Sequence, residues 1–327
     1  MVTNVGLFSG SYARYAFETT FGTAIADGSL TTYFGHNVKF NRTIKNNIER
    51  IPDLNTRNYT KFGAKKVEGT WGADFQVSNF SFMKGVLGSV ADAGSGPYTH
   101  TYSEANVPPS LTIQASEDLD TDSEQTLTGC LIDKFSMNLN VGEIVKGKLD
   151  GTYIKEVKDS TLNTNGNSQD AEDVFSFSHG TIELPTSTTI GEIQSCDVSI
   201  SNNAELIWGL GSRFATQRAF KQRVYEFKIN KIREQDSDFL DKLYGSTTTM
   251  SSANKPADTA TLNLTLTNGL GTTLLRSFTM KVDSLQVDDF SSTLSPGDLT
   301  KEDVTLYALG LNSSSKAVYT NNTATSP

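Results

Sequence analysis

The chain has 327 residues, enough for two ordinary domains or one large all-β domain with a substantial core. Its 37 acidic residues outnumber 28 basic ones, and the net charge of −9 argues against a sequence-independent grip on nucleic acid, which needs basic surface to displace phosphate counterions. Three histidines (His36, His100, His179) and two cysteines (Cys130, Cys196) exclude the usual zinc clusters and a disulfide framework, while 74 Ser and Thr residues point to a β-rich chain.

The first residues, Met1-Val-Thr-Asn-Val-Gly-Leu7, have neither a basic n-region nor an apolar core, so no signal peptide is expected. No run approaches the roughly 18 apolar residues of a membrane span. Residues 1–33 read as an N-terminal arm whose Tyr12, Tyr15, Phe17, Phe21 and Tyr33 dock on the chain's own domain or on a neighbour. An alternating strand follows at Val38–Ile44 and enters a long polar loop, Arg50–Lys61. A second strand puts Val67, Trp71, Ala73 and Phe75 on one face. A short helix is predicted within Ser78–Gly88, from the spacing of Phe82, Met83, Val86 and Leu87 before a glycine stop. Three strands, near 110–116, 129–141 and 145–155, complete the unit.

The same plan recurs. Ile44-Lys-Asn-Asn-Ile-Glu49 matches Ile200-Ser-Asn-Asn-Ala-Glu205 at an offset of 156, where Ile51, Leu54 and Arg57 meet Ile207, Leu210 and Arg213. Phe82–Ser89 matches Phe239–Ser246 at 157, Leu111–Ala115 matches Leu262–Leu266 at 151, and Asp133, Phe135, Met137 match Asp283, Leu285, Val287 at 150. The second copy predicts a strand over Val198–Leu206, a Gly- and aromatic-rich loop, a strand at Val224–Ile229, a helix from an Asp236 cap to Gly245, and strands near 260–267, 274–289 and 302–309. The expected organisation is an arm (1–33), a first domain (34–158), a linker and connecting segment (159–190), a second domain (191–310) and a mobile polar tail (311–327). Each domain is a β-sandwich or barrel with one short flanking helix.

Chemical motifs are absent: no phosphate loop, no nucleophile elbow, no His-Glu-x-x-His and no Cys-x-x-Cys. Glu117-Asp-Leu-Asp-Thr-Asp-Ser-Glu124 mimics the opening of a calcium loop but has Ser123 and Gly129 where such a loop needs Gly and Glu, so a solvated acidic hairpin is expected. The histidines read as surface or turn residues, the cysteines as buried free thiols, and Trp71, Phe75, Tyr225 and Phe227 as core. No catalytic residue, cofactor or metal is expected. The loops at 49–64 and 205–220 run longer than a hairpin needs and carry Ile51, Leu54, Tyr59 and Phe62, then Ile207, Trp208, Leu210 and Phe214. They read either as packed loops or as assembly contacts.

Phe17-Glu-Thr-Thr-Phe-Gly-Thr-Ala24, the order strand–long loop–strand–short helix ending Leu87-Gly88-Ser89, and Gly129-Cys-Leu-Ile-Asp-Lys-Phe-Ser-Met-Asn-Leu-Asn-Val-Gly-Glu-Ile-Val-Lys146 together resemble the tail tube proteins of long-tailed viruses, in the form with a duplicated tube domain. The resemblance covers about residues 15–310. In place of the Gly-Glu turn the second copy has Asp288-Asp-Phe-Ser-Ser-Thr-Leu-Ser-Pro-Gly297. The resemblance implies a non-enzymatic virion protein, made in the host cytoplasm, whose β-sandwich domains join into rings. Rings stack through the long loops into a tail tube that conducts the genome without specific DNA binding. Its partners are other copies of itself and other tail proteins. Two domains per chain imply three chains in a pseudo-sixfold ring, with a hexamer as the rival arrangement. Ile51, Leu54, Arg57, Tyr59, Phe62, Ile207, Trp208, Leu210, Arg213 and Phe214 are the expected contact residues. The polar faces Lys134, Ser136, Asn138, Asn140 and Ser284, Gln286, Asp288 are the expected bore lining. A tail-tip, baseplate or adhesion protein of the same virion is the alternative, and a glycan hydrolase lacks its paired carboxylates in an aromatic cleft.

Overall fold

The computed structural model describes residues 7–118, 123–159, 172–184, 189–233, 238–244, 260–268, 276–293, 297, 299–311 and 317–321. Its strands in chain order are β1 (Leu7–Phe17), β2 (Thr32–Tyr33), β3 (His36–Lys45), β4 (Ile48–Pro52), β5 (Tyr59–Ala64), β6 (Glu68–Gln76), β7 (Gly88–Ala93), β8 (Tyr98–Glu104), β9 (Leu111–Asp118), β10 (Ser123–Asn140), β11 (Lys146–Tyr153) and β12 (Lys155–Asp159). They continue with β13 (Gly180–Glu183), β14 (Ile193–Ser201), β15 (Ala204–Ile207), β16 (Gln217–Phe220), β17 (Val224–Ile232), β18 (Ala260–Asn268), β19 (Arg276–Thr293), β20 (Lys301–Leu311) and β21 (Ala317–Asn321). Two short helices are α1 (Met83–Leu87) and α2 (Asp238–Tyr244).

The central feature is an antiparallel sheet in the order β3-β6-β11-β10-β14-β17-β20-β19. Alternation puts Trp71, Phe75, Phe135, Met137, Val198, Ile200, Tyr225, Phe227, Val304 and Leu306 on its buried face. The described pairings do not return on themselves, so no closed barrel forms among them. One apolar cluster runs through both halves of the chain, from Ala13 to Tyr319.

Pairing register recurs between the two halves. Asn41 faces Gly72, and Asp197 faces Lys228, each 156 positions later. Hairpin β4–β5 pairs Ile48 with Ala64, and β15–β16 pairs Ala204 with Phe220 at the same spacing. A bulge between Ile132 and Lys134 on β10 has its counterpart between Val287 and Asp289 on β19. Left-handed backbone recurs as well: Asn47 (φ 44°) and Asn203 (φ 50°), Asn37 (53°) and Glu192 (55°), Gly129 (67°) and Ser284 (55°).

The ladder revises several expectations. Asp133, Phe135 and Met137 align with Asp288, Phe290 and Ser292, not with Asp283, Leu285 and Val287, because the bulge between Ile132 and Lys134 matches the one between Val287 and Asp289. Gly297 (φ 84°) then takes the place of Gly142 (φ 84°), so a turn glycine follows both long strands. Helix α1 is shorter than expected because the Asn79 carboxamide accepts the Ser81 N–H, a local turn that competes with helix before Met83. Of the second helix, the Asp236 cap and Gly245 lie outside the described residues. The predicted strand Val198–Leu206 breaks at Asn202–Asn203, where Asn202 turns inward and donates to Val86 O and Ile132 O.

Three segments outside the two predicted domains are integral to the sheets. In the N-terminal arm, β1 pairs with β9 and buries Ala13 and Tyr15. In the connecting segment, Phe175 is buried and β13 pairs with β18. In the tail, β21 lies between β8 and β19 and buries Ala317, Tyr319 and Asn321. This contrasts with the mobile tail expected there, and the residues flanking β21 are not described.

Candidate assembly surfaces

The segments read as long loops are two β-hairpins with bare apolar tips. On β4–β5 and its turn, Leu54 is 98% exposed, Phe62 69% and Tyr59 59%, while Ile51 is also exposed. The turn is ordered by Asp53, whose carboxylate accepts from the Asn55 N–H and the Thr56 hydroxyl. Those bonds favour its charged form and hold its pKa below the usual carboxylate value. A fixed turn presenting this much apolar surface costs free energy in water unless something covers it. Arg57 is exposed at the same tip.

The second hairpin, β15–β16, lies against the base of the first. The Val67 N–H donates to Arg213 O at 2.8 Å, Arg213 Nε donates to Lys65 O at 2.9 Å, and its Nη2 donates to the Asn46 backbone and side-chain oxygens. Lys66 Nζ sits 4.4 Å from the ring centroid of Trp208, which is half-buried. Leu206 and Ala215 join Leu131 and Ile154 in a small second core. Ile207, Leu210 and Phe214 remain exposed. Of the ten expected contact residues, Arg213 and Trp208 therefore have intrachain roles, and the other eight lie on open surface.

The unburied face of the eight-stranded sheet is largely polar, with Val224 and Tyr307 as exposed exceptions. Lys134, Ser136, Asn138 and Asn140 lie on it, with Phe135, Met137 and Leu139 buried opposite. Gln286 shares this face through its pairing with Tyr307, whereas Asp288 is the bulged residue and Ser284 is the left-handed one. By register the counterparts of Lys134, Ser136 and Asn138 are Asp289, Ser291 and Thr293. Charges on the face balance: Lys39, Lys45, Lys134, Lys146, Lys148, Lys228 and Lys301 against Glu68, Asp74, Asp150, Asp197, Glu226, Asp289 and Asp303. Several are neighbours in ion pairs, as Lys148 with Asp150 and Lys228 with Glu226.

Buried polar groups hold strands in place. Glu18 accepts from Gly22 N–H, Gly129 N–H, the Ser110 hydroxyl and the Thr112 hydroxyl, which ties the arm to β9 and β10. His100, expected at the surface, is 2% exposed and lies between Asp92 and Asn321, joining β21 to β7 and β8. His36 meets the Glu172 carbonyl, and His179 lies in a capping box with Ser176; burial lowers the His179 pKa. Cys130 and Cys196 are buried and unpaired, with both thiol pKa values raised by burial, that of Cys196 to about 12. In the acidic loop, Glu124 is buried and accepts from the Tyr12 hydroxyl; residues 119–122 lie outside the described ones. Among the described residues no group of three His, Cys, Asp or Glu side chains could hold a metal, and no helix is long and apolar enough to cross a membrane.

Fold and surfaces define a mainly β protein whose buried polar side chains tie strands together and whose apolar side chains protrude at hairpin tips. Residues 9–309 match the family of phage tail tube proteins, and the chain belongs to that family. No individual curated protein matches the chain. Membership makes it a structural component of the virion tail that assembles with itself and with other tail proteins.

Proposed function

We propose that the chain contains two tandem tube domains, 34–158 and 191–310, and that three chains close a pseudo-sixfold ring. Stacked rings form the tube through which viral DNA reaches the host cell. The observation that carries this reading is the β10·β14 junction, where two four-stranded units with the same register are joined edge to edge within one chain. Such a junction is the repeating contact a ring needs, already made once per subunit. The recurrence of hairpin register, strand bulge and left-handed positions supports duplication.

The hairpin tips carrying Leu54 and Leu210 serve as contacts to the next ring, which would bury their exposed apolar surface. The charge-balanced face around Ser136 and Asn138 lines the bore, where an excess of lysine would retain DNA. Electron microscopy of the purified protein at high concentration tests the reading. Uniform tubes with three chains per ring are expected. Rings of six chains sink the trimer, and particles that remain monomeric at every concentration sink the tube. Leu54→Asp is expected to leave single rings that do not stack.

A further inference from the structure

The intrachain contact between the second hairpin and the first domain has a vacant counterpart. Arg213 docks on the strip at Asn46, Lys65 and Val67. Since hairpin register is kept at 156 throughout, Arg213 corresponds to Arg57, and the strip corresponds to Asn202, Lys221 and Arg223. The two strips are built alike: Lys65 N–H donates to Asn47 O, and Lys221 N–H donates to Asn203 O. Where Arg213 covers the first strip, the second borders an open cleft of about 470 Å³ that includes Asn202, Lys221, Gln222, Arg223 and Glu104. Arg57 stands exposed on its own hairpin.

Sheet edges repeat the same relation. β10 pairs with β14, but among the described strands the corresponding edge of β19 beyond Leu285 has no partner and β3 pairs with β6 alone. Transferring the β10·β14 register sets Phe290 opposite Ile44, Ser291 opposite Thr43 and Asp289 opposite Lys45. Asp289 and Lys45 are both exposed and of opposite charge, so this register brings a cross-strand ion pair together. Both halves of the contact fall on the same pair of chains.

We propose that the cleft beside Lys221 and Arg223 receives Arg57 of a second copy of this chain, whose β3 adds to the free edge of β19 in the register Ser291–Thr43. The guanidinium takes the carbonyls that correspond to those Arg213 uses, Lys221 O and Asn202 O, with the Glu104 carboxylate supplying negative charge. The Asn202 side chain is already engaged by Arg223 Nε, so here it does not play the part of the Asn46 side chain. The inference rests on the tandem-domain ring and names its interchain contact.

The test combines two variants of the full chain. Arg57→Ala, an exposed change that leaves the fold intact, is expected to raise the concentration needed for ring formation at least tenfold. Thr43→Cys/Ser291→Cys, under mild oxidation, is expected to give covalent species that stop at three chains, since Cys130 and Cys196 are buried. Wild-type rings together with normal assembly of Arg57→Ala, or with an uncoupled cysteine pair, overturn this contact and leave the tube reading standing. A wild-type chain that forms no ring at all overturns both.

Discussion

The ring of Phe80 lies flat on that of Phe278, with centroids 3.7 Å apart and planes 6° from parallel. One belongs to the segment before α1, the other to β19, so the stack joins residues nearly two hundred positions apart in the chain. Phe175 and Tyr319 pack against Phe80 from other elements. The two halves therefore share the main core. Phe80→Ala is expected to lower stability by roughly 3–5 kcal/mol. Because the core is shared, unfolding in denaturant should remain one transition by both fluorescence and circular dichroism. The double variant with Phe278→Ala should cost less than the sum of the single changes, since each removes the other's partner.

Glu18 anchors the N-terminal segment through four hydrogen bonds, two from backbone N–H groups and two from hydroxyls. Removing the carboxylate leaves the Gly129 N–H and the Ser110 and Thr112 hydroxyls buried without this acceptor, while the exposed Gly22 N–H turns to water. Glu18→Ala is expected to cost about 2–3 kcal/mol. Hydrogen exchange at β1 and β9 should speed up more than at β14 and β17, which the bonds do not touch. Equal acceleration in all four strands would contradict a local anchor.

Alkaline pH should destabilise the protein in a defined window. Burial and adjacent carboxylates raise the phenol pKa values of Tyr225, beside Glu104, and Tyr319, beside Glu172. A raised folded-state value means that the stabilisation is complete below the ordinary tyrosine pKa of about 10 and declines above it. There the unfolded chain releases protons that the folded chain keeps. The expected decline is up to about 1.4 kcal/mol per pH unit for each tyrosine. Urea unfolding between pH 9 and 11 measures it, and Tyr225→Phe/Tyr319→Phe should flatten the slope.

Alternation made the central sheet legible, because Phe135, Met137 and Leu139 or Tyr225, Phe227 and Ile229 face one compact core. Elements whose apolar residues face outward were harder to read. The hairpins at 48–64 and 204–220 are strands, but Ile51 and Phe62 are exposed, so no buried stripe marked them as paired. β21 has only five residues, and its partners Tyr102 and Phe278 are distant in sequence, which leaves no local signal. His100 looked ordinary for the same reason: its partner Asn321 is 221 positions away. At the assembly surfaces, the residue types at the hairpin tips were readable. The position that matches Lys134 in register, Asp289, was not, because it is fixed by the pairing of β19 with β20 and by the bulge between Val287 and Asp289, which leave no mark in the local sequence.

The charge balance of the open sheet face leads to a prediction about DNA. With seven lysines against seven carboxylates on that face, several of them in adjacent pairs, no run of uncompensated positive charge is available to a phosphate backbone. Assembled wild-type protein should therefore retain little double-stranded DNA even at low salt. Ser136 and Asn138 are half-buried neutral residues on the same face of β10, so arginine at either position extends from the sheet without entering the core. Ser136→Arg/Asn138→Arg adds two charges per chain and should convert the face to a retaining one. Filter binding against a salt series measures this: each phosphate newly contacted steepens the slope of log affinity against log salt by about 0.9. If the same substitutions leave retention unchanged in intact tubes while two arginines on an outer surface raise it, the face does not meet the DNA.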